Sequence, residues 1–368
     1  MDCLKLGWIF LTECARYVWH RDADRCICNC LLRAVRVNLI FTKLLQGFAT
    51  KNAALMRHVH AIPIVDACQP PVLHDLVCTD MIGAGLTAVV YGALYKQQPC
   101  VVKVKRPNIQ ERIRHGLQIS NWLLRALVCF FRNNELTSLH YEISKVLLEQ
   151  CDFLAEVENQ RKYALQTSLV VPKIFYHEEN FIVMEQLAGV PLQSLSVDQK
   201  EAYAEILCKN AMESALVHGF IHADMHVGNI FFMDGNIGLI DFGLMATLAE
   251  REQDAYTYIM QSLKEHNFKT AAEVAMRHII EPMNILKTLS PGETAQIQRE
   301  FEAIFDNAMA DNKAFGLNDI LKITTIISPY GLNVAQSFYK MVVVLSAFEL
   351  LLKELTTHSA TLLTSCVH

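Results

Sequence analysis

Three polar residues in the stretch HADMHVGNIFFMDGNIGLIDFG, residues 222–243, have the types and spacing of a phosphoryl-transfer site. Asp224 and Asn229 lie five residues apart before an apolar hairpin, and Asp241 follows the second strand of that hairpin. Phosphoryl transfer needs a group that orients the acceptor, oxygen ligands for a divalent metal, and positive charge near the phosphates. We therefore assign Asp224 to the acceptor or an attacking water, and Asn229 and Asp241 to Mg²⁺. The alternative is that all three residues only cap turns.

The positive charge is predicted upstream, in the segment CVVKVKRP. Lys103 alternates with Val102 and Val104, so in a strand its side chain faces opposite to theirs. A lysine inside a sheet needs a partner, and nucleotide phosphates would provide one. The protein partner is expected to be a carboxylate on a helix, with Glu156 favoured and Glu149 in reserve. The alternative is a lysine that faces solvent at a sheet edge.

A candidate phosphate-covering loop precedes this lysine. The segment IGAGLTAVVYGALY places Gly83 and Gly85 between two strand-like runs. Glycine lets the backbone approach a phosphate and adopt positive φ without steric cost. A G-x-G pair is a weak signal alone, but here Lys103 follows at the distance that a kinase-like loop requires.

The composition limits the class of protein. The 368 residues suffice for two domains or one two-lobed domain, and 52% hydrophobic residues argue against disorder. A net charge of −5 and the lack of a strongly basic block give nucleic-acid binding little support. The 12 cysteines show no regular disulfide spacing and the sequence has no Asn-x-Ser/Thr site, which favours an intracellular setting. The apolar run near the C-terminus contains charges, so we interpret it as a buried helix, whereas the N-terminal segment could lie on a membrane surface.

The predicted elements form three consecutive regions. The first about 60 residues are predicted to be helical, and three antiparallel strands are predicted between residues 77 and 106. Helices follow between residues 108 and 165, then a hairpin in KIFYHEENFIVMEQL and a helix ending at Gly219. The Asp-Gly-Asn at residues 234–236 predicts a tight hairpin, and the chain from about Ala249 is predicted to be mostly helical.

These motifs together resemble the UbiB/ABC1/ADCK family of atypical kinases, the coenzyme-Q-linked kinase-like proteins, over roughly residues 35–355. FTKLLQGFAT is similar to the K-x-G-Q signature of that family, with Leu45 in place of the glycine. CDFLAEVEN is similar to its E-x-D segment, with Gln150 in place of the first acid, and HADMHVGN is similar to its catalytic loop without the two prolines. The positions that match these signatures are Lys43, Gln46, Asp152, Glu156, Asn159, Asp224 and Asn229.

The resemblance implies an α+β, protein-kinase-like two-lobed fold, with a small antiparallel sheet in the N-lobe and a helical C-lobe. We predict an N-terminal helical extension over residues 1–65, an N-lobe with a helical insert over 66–188, and a C-lobe over 189–368. In the family the extension covers the nucleotide site, so the lid would comprise Lys43, Gln46 and Asp152. The predicted catalytic residues are Asp224, Lys103 and Glu156, and the predicted cofactors are ATP and Mg²⁺. The predicted nucleotide-binding residues are Gly83, Ala84, Gly85, Val90, Lys103, Glu185 and Leu187.

The phosphate acceptor is not predicted to be a protein. After Asp241 the chain enters a helix almost at once and no A-P-E motif follows, so there is little room for an activation loop. Ala223 stands where protein kinases have the arginine that binds activation-loop phosphate. We expect a lipid or small molecule, such as an isoprenoid-quinone-related compound, with possible peripheral membrane contact. The alternatives are a small-molecule phosphotransferase of the aminoglycoside or choline kinase type, and a nucleotide-binding scaffold without turnover.

Overall fold

The computed structural model describes residues 68–131, 144–145, 147–310 and 317–356, with six further residues nearer the N-terminus. The chain divides into two compact units, each described by itself below. The first comprises Met1–Val157 and Lys173–Gln186, and the second Glu158–Pro172 and Leu187–His368. The domain boundaries that we place near residues 65 and 188 stay predictions.

An antiparallel sheet of five strands forms the first unit, in the order β1-β2-β3-β5-β4. The strands are β1 Leu76–Ala84, β2 Ala88–Tyr95, β3 Gln98–Lys105, β4 Ile174–Glu178 and β5 Phe181–Glu185. A two-residue turn joins β2 to β3, and both of its residues, Lys96 and Gln97, have positive φ. Such primed turns match the twist of the strands that they connect. The three strands and the later hairpin that the sequence predicted are all present.

Both faces of this sheet are covered, which explains the apolar runs in β2 and β3. On one face, Val89, Val102 and Val104 belong to one buried cluster. On the other face, Ile182 and Met184 pack with residues at the start of helix α2, Phe153–Ala164. Helix α1, Ile109–Phe131, follows β3. The boundary between the units falls within α2, after Val157.

The second unit is mostly helical, as predicted. Its first complete helix is α3, Val197–Leu216, which begins with a capping box made by Ser196 and Gln199. The later helices are α4 Glu250–Lys264, α5 Phe268–His278, α6 Met283–Leu286, α7 Pro291–Ala310, α8 Leu317–Ile327 and α9 Gln336–Leu355. The fold class is therefore the predicted α+β one, with a sheet in the first unit and helices in the second.

Three short strand pairs follow α3, and the first two of them flank the polar motif. The pairs are β6 Phe220–His222 with β9 Met245–Thr247, β7 Ile230–Met233 with β8 Asn236–Leu239, and β10 Ile280–Glu281 with β11 Asn333–Val334. Gly235 has a φ of +66° in the β7–β8 turn, which confirms the hairpin that Asp-Gly-Asn predicted. Apolar residues of this hairpin, such as Phe232 and Leu239, lie in the core with α3. The hairpin is thus fixed by its packing as well as by its turn.

Two further properties concern the described part of the chain. Its helices include none that combines the length and hydropathy needed to cross a bilayer. Its cysteines include Cys68, Cys78, Cys100 and Cys151 in the first unit and Cys208 in the second. Cys78 is half-buried and the other four are buried.

Candidate active site

A buried ion pair lies on the sheet face that α2 covers. Lys103 Nζ is 2.6 Å from Glu156 Oε1, and the two side chains are 9% and 1% exposed. The ring of Phe153 lies beneath the ammonium group, with its centroid 5.5 Å from Nζ. The structure thus gives Lys103 the helical carboxylate that the sequence favoured, while Glu149 lies 4.0 Å from Lys145 instead. Since a buried charge is stable only when it is paired, each residue fixes the position of the other.

The glycine segment comprises Gly83 near the end of β1 and Gly85 in the loop that connects β1 to β2. The amide of Gly85 donates to the carbonyl of Ala88 at 2.8 Å, and the guanidinium Nε of Arg106 donates to the carbonyl of Gly85 at 3.1 Å. A Cβ on Gly83 or Gly85 would meet no atom closer than 3.8 Å, and neither residue has positive φ. The backbone conformation therefore does not require glycine at these two positions, and the space beside each of them is open.

The remaining predicted nucleotide-binding residues occupy different positions. Val90 pairs with Lys103 across β2 and β3, so both side chains lie on one face of the sheet. Glu185 ends β5, and its Oε2 accepts from the backbone amide of Lys173 at 3.1 Å. Leu187 is buried in the second unit. Ala84, the last residue of β1, is exposed. Their roles in nucleotide binding stay predictions.

In the second unit, backbone and side-chain hydrogen bonds join the catalytic-loop residues. The side-chain amino group of Asn229 donates to the carbonyl of Asp224 at 2.9 Å. The amide of Ile240 donates to the carbonyl of Asn229 at 2.9 Å, so Asp241 follows directly after this pairing. The two residues assigned to the metal are therefore held at the same end of the β7–β8 hairpin, as the sequence predicted.

His222 joins the two aspartates and was not given a role by the sequence analysis. Its Nδ1 accepts from the amide of Asp224 at 3.3 Å, so Nε2 carries the proton and donates to the carbonyl of Asp241 at 2.7 Å. Burial lowers the pKa of this imidazole below its usual value, although the Asp241 carbonyl partly opposes that shift. A neutral histidine suits both bonds. The sequence did offer a signal for a role of His222, because this residue begins the motif and ends an apolar strand.

His226 is the second residue that the sequence analysis left without a role. Its Nδ1 accepts from the amide of Gly228 at 3.1 Å, which caps the short 3₁₀ helix Val227–Asn229. Its Nε2 is 3.7 Å from Asp224 Oδ2. The Asp224 side chain is 28% exposed, so its carboxylate is accessible from solvent.

The backbone at Asp241 adopts a rare conformation. Asp241 has a φ of +65°, in the left-handed region that non-glycine residues seldom occupy. Its Oδ1 accepts from the amide of Gly243 at 3.2 Å. Phe242 is fully buried, and its ring packs against those of His222 and Tyr163, with centroids 5.5 Å and 5.6 Å away. Rare backbone conformations of this kind concentrate at functional sites.

The predicted lid lies mostly outside the part of the chain that can be described. Lys43 and Gln46 lie outside the described residues, so their placement stays a prediction. Asp152 is described, and its Oδ1 accepts from the amide of Ala155 at 3.0 Å at the start of α2. Asp152 therefore has a structural role as a helix N-cap, whether or not it also meets a lid lysine.

Two side chains of the second unit, those of Asn229 and Asp241, offer oxygen atoms of the type that Mg²⁺ prefers. The amino group of Asn229 is directed to a carbonyl, so its Oδ1 is the atom that can face a cation. Asp241 adds a carboxylate with its Oδ2 beside the atom that accepts from Gly243. Among the described residues no group of three or more His, Cys, Asp or Glu side chains could hold a metal ion. Mg²⁺ commonly binds through one or two protein oxygens together with substrate phosphates, so Asn229 and Asp241 are the residues that would hold it.

This fold and these motifs define a kinase-like protein. The family model of the ABC1 atypical kinase-like domain matches residues 79–275, more than half of the chain. The chain therefore belongs to the ABC1 atypical kinase-like family, as the sequence motifs had indicated.

The chain is also similar to individual proteins. An uncharacterised Synechocystis protein is 28% identical over 287 residues, covering 66% of this chain and 70% of that protein. A Dictyostelium discoideum protein named "Probable serine/threonine-protein kinase abkB" is 24% identical over 242 residues, covering 60% of this chain but 36% of its own. A Mycobacterium tuberculosis protein solved in complex with erythromycin superposes with a TM-score of 0.51 at 17% identity, covering 75% of this chain and 73% of that one. The last similarity supports the fold alone.

Proposed function

We propose that this protein binds Mg-ATP and transfers or hydrolyses its terminal phosphoryl group, with a lipid or small molecule rather than a protein as the acceptor. The observation that carries the proposal is the hydrogen-bonded group of Asp224, Asn229 and Asp241 in the second unit. Asn229 and Asp241 would hold Mg²⁺, whose charge stabilises the phosphate oxygens. Asp224 would accept the proton of the acceptor hydroxyl or orient a water molecule.

The first unit supports the proposal with a positive charge. Lys103 is paired with Glu156 and lies on the same sheet face as Val90. The loop between β1 and β2 leaves open space beside Gly85. An ammonium group held in this way suits nucleotide phosphates, since its orientation is set before the ligand arrives.

The short segment after Gly243 supports an acceptor other than a protein. Strand β9 begins at Met245 and α4 at Glu250, so few residues are available for a substrate-binding activation loop. Ala223, in the position of the usual arginine, uses its amide to bond the carbonyl of Leu244. An isoprenoid-quinone-related lipid at a membrane surface is the acceptor class that we favour.

A thermal melt with nucleotide, combined with an ATP turnover assay, tests this function. Mg-ATP at 100 times its Kd should stabilise the fold by about 2.7 kcal/mol. Turnover should rise with vesicles that contain a quinone-like lipid, and not with a generic protein substrate. Stabilisation without turnover under every condition would favour a nucleotide-binding scaffold. A melt that Mg-ATP does not shift, in folded protein, would refute nucleotide binding.

A further inference from the structure

Asp241 holds a backbone conformation that needs support from its surroundings. A non-glycine residue in the left-handed region is strained and persists only when neighbouring contacts impose it. At Asp241 these contacts decide where the carboxylate points, because the side chain follows the backbone. The contacts that impose this conformation are therefore candidates for residues that set metal affinity.

Hydrogen bonds hold the carbonyl groups of two successive residues at this position. The carbonyl of Asp241 accepts from His222 Nε2 at 2.7 Å. The carbonyl of Phe242 accepts from Asn159 Nδ2 at 3.0 Å. His222 belongs to the catalytic loop itself, whereas Asn159 lies 83 residues earlier in the sequence, on α2. Asn159 thus ties the conformation of Phe242 to a separate helix.

The second half of α2 is itself firmly anchored within the second unit. One turn after Asn159, the hydroxyl of Tyr163 donates to Asn210 Oδ1 at 2.7 Å, and Asn210 donates to Thr167 Oγ1 at 2.6 Å. Tyr163 is fully buried, and its ring contacts that of Phe242. The amide of Asn159 is therefore presented from a fixed support, which is the requirement for a group that positions another.

We infer that Asn159 is a positioning residue for Asp241, and that its hydrogen bond to Phe242 sets the affinity of the site for Mg²⁺ in the presence of nucleotide. The inference rests on the proposed function. Without the amide, the carbonyl of Phe242 loses its partner and the peptide between Phe242 and Gly243 gains freedom to rotate. The Asp241 carboxylate then spends less time in the orientation that suits the metal.

The experiment compares Asn159→Leu with Gln160→Leu. Gln160, the next residue on α2, is also buried and also donates its side-chain amide to a backbone carbonyl, that of Pro172 at 2.7 Å. Both substitutions remove one such bond, so both should lower thermal stability. Only the hydrogen bond of Asn159 holds the segment that contains Asp241. The measurement is the Mg²⁺ concentration that half-saturates thermal stabilisation at a fixed ATP concentration.

We expect this Mg²⁺ concentration to rise about fivefold to tenfold in Asn159→Leu, the effect of losing one hydrogen bond. Gln160→Leu should match the wild type. If Asn159→Leu also matches the wild type, or if both variants shift equally, the inference is wrong although nucleotide binding stands. If the wild-type protein shows no Mg²⁺-dependent stabilisation, that result refutes the proposed function and not the positioning role of Asn159.

A second measurement does not depend on nucleotide. The amide of Gly243 donates to Asp241 Oδ1, so its hydrogen exchange reports on the Asp241 conformation. Exchange at Gly243 should accelerate in Asn159→Leu and stay unchanged in Gln160→Leu. Should Asn159→Leu fail to fold, Asn159→Asp keeps the side-chain shape but removes the amino donor. Unchanged Gly243 exchange in a folded Asn159 variant would overturn the inference.

Discussion

The carboxylates of Asp224 and Asp241 lie in different surroundings, although one histidine contacts the backbone of both residues. Asp224 is partly exposed and faces His226 at 3.7 Å. Asp241 has a constrained backbone, and its Oδ1 accepts from the amide of Gly243. The first arrangement suits a group that meets an acceptor, and the second suits a fixed metal ligand. The two assigned roles can therefore be separated by substitution.

Asp224→Ala should leave Mg-ATP binding nearly intact and reduce turnover by about 10²–10⁴, the typical contribution of a general base. Asp241→Ala should weaken Mg²⁺-dependent binding directly. Melts with Mg-ATP and a turnover assay measure the two effects. Asp234→Ala, at the exposed turn of the same hairpin, is the matched control and should change neither. Equal losses of Mg-ATP affinity in Asp224→Ala and Asp241→Ala would show that the roles are wrongly assigned.

The ion pair of the first unit gives a second prediction, about stability. Lys103→Met leaves the Glu156 carboxylate buried without its lysine, which should cost about 3–5 kcal/mol of unfolding free energy. The double variant Lys103→Met/Glu156→Leu removes both charges and should recover much of that loss. Denaturant unfolding of the apo protein measures both values.

Lys96→Met is the control for this pair. Lys96 lies over the ring of Tyr95 on the protein surface, so its loss should have little effect. A double variant as unstable as Lys103→Met alone would mean that the pair does not act as a unit.

At the scale of elements, the sequence predicted what local patterns determine. The β-branched runs of β2 and β3 and the Asp-Gly-Asn turn each carry their own signal, and the structure contains all of them. The pairing of β6 with β9 was missed because each strand has three residues, too few for a periodic pattern. The order that places β5 beside β3 was also missed, since it depends on packing between segments far apart in sequence.

The prediction of the candidate site was limited in the same way, to residues that carry a local sequence signal. The type and spacing of Asp224, Asn229 and Asp241 could be recognised because one hairpin carries all three. Glu156 could be named because a buried lysine requires a carboxylate. The bonds of His222 and of Asn159 to the segment around Asp241 could not be predicted, because a hydrogen bond to a backbone carbonyl leaves no residue pattern at the accepting end.

The glycine loop gives a prediction at this scale. Gly85→Ala should change the unfolding free energy by less than about 1 kcal/mol, because its Cβ would be 3.9 Å from the nearest atom and φ is not positive. Any loss of Mg-ATP stabilisation in this variant then reports a contact with phosphate. We expect such a loss.

Gly189→Ala calibrates this measurement. A Cβ on Gly189 would lie 2.9 Å from the backbone carbonyl of Phe232, so this variant should be destabilised by about 1–3 kcal/mol. If Gly85→Ala unfolds as easily as Gly189→Ala, the loop is constrained by the fold and not by a ligand.

At the scale of the whole molecule, the main prediction that falls outside the described residues concerns the N-terminal extension. The resemblance predicts that Lys43 meets Asp152 over the nucleotide site. Asp152 already caps α2, so its carboxylate is oriented before any lysine arrives. We predict that Lys43→Ala changes ATP turnover or autophosphorylation measurably, although no ordinary kinase motif contains this lysine.

Lys43→Arg, which keeps the charge, should behave more like the wild type. A structure that includes residues 35–50 gives the direct measure, the Lys43 to Asp152 separation. A separation well beyond ion-pair reach, with turnover unchanged in Lys43→Ala, would leave only the kinase-like core.

The distribution of cysteines allows the opening of each unit to be followed separately by chemical footprinting. Cys100 and Cys151 are buried in the first unit and Cys208 in the second, so a thiol reagent reaches each only when its surroundings open. Burial also raises the pKa of the Cys100 and Cys151 thiols, which slows alkylation further while they are enclosed. Peptide-resolved mass spectrometry would separate these thiols from the other cysteines of the chain. Alkylation rates with and without Mg-ATP would then assign ligand protection to one unit or to both, without any engineered probe.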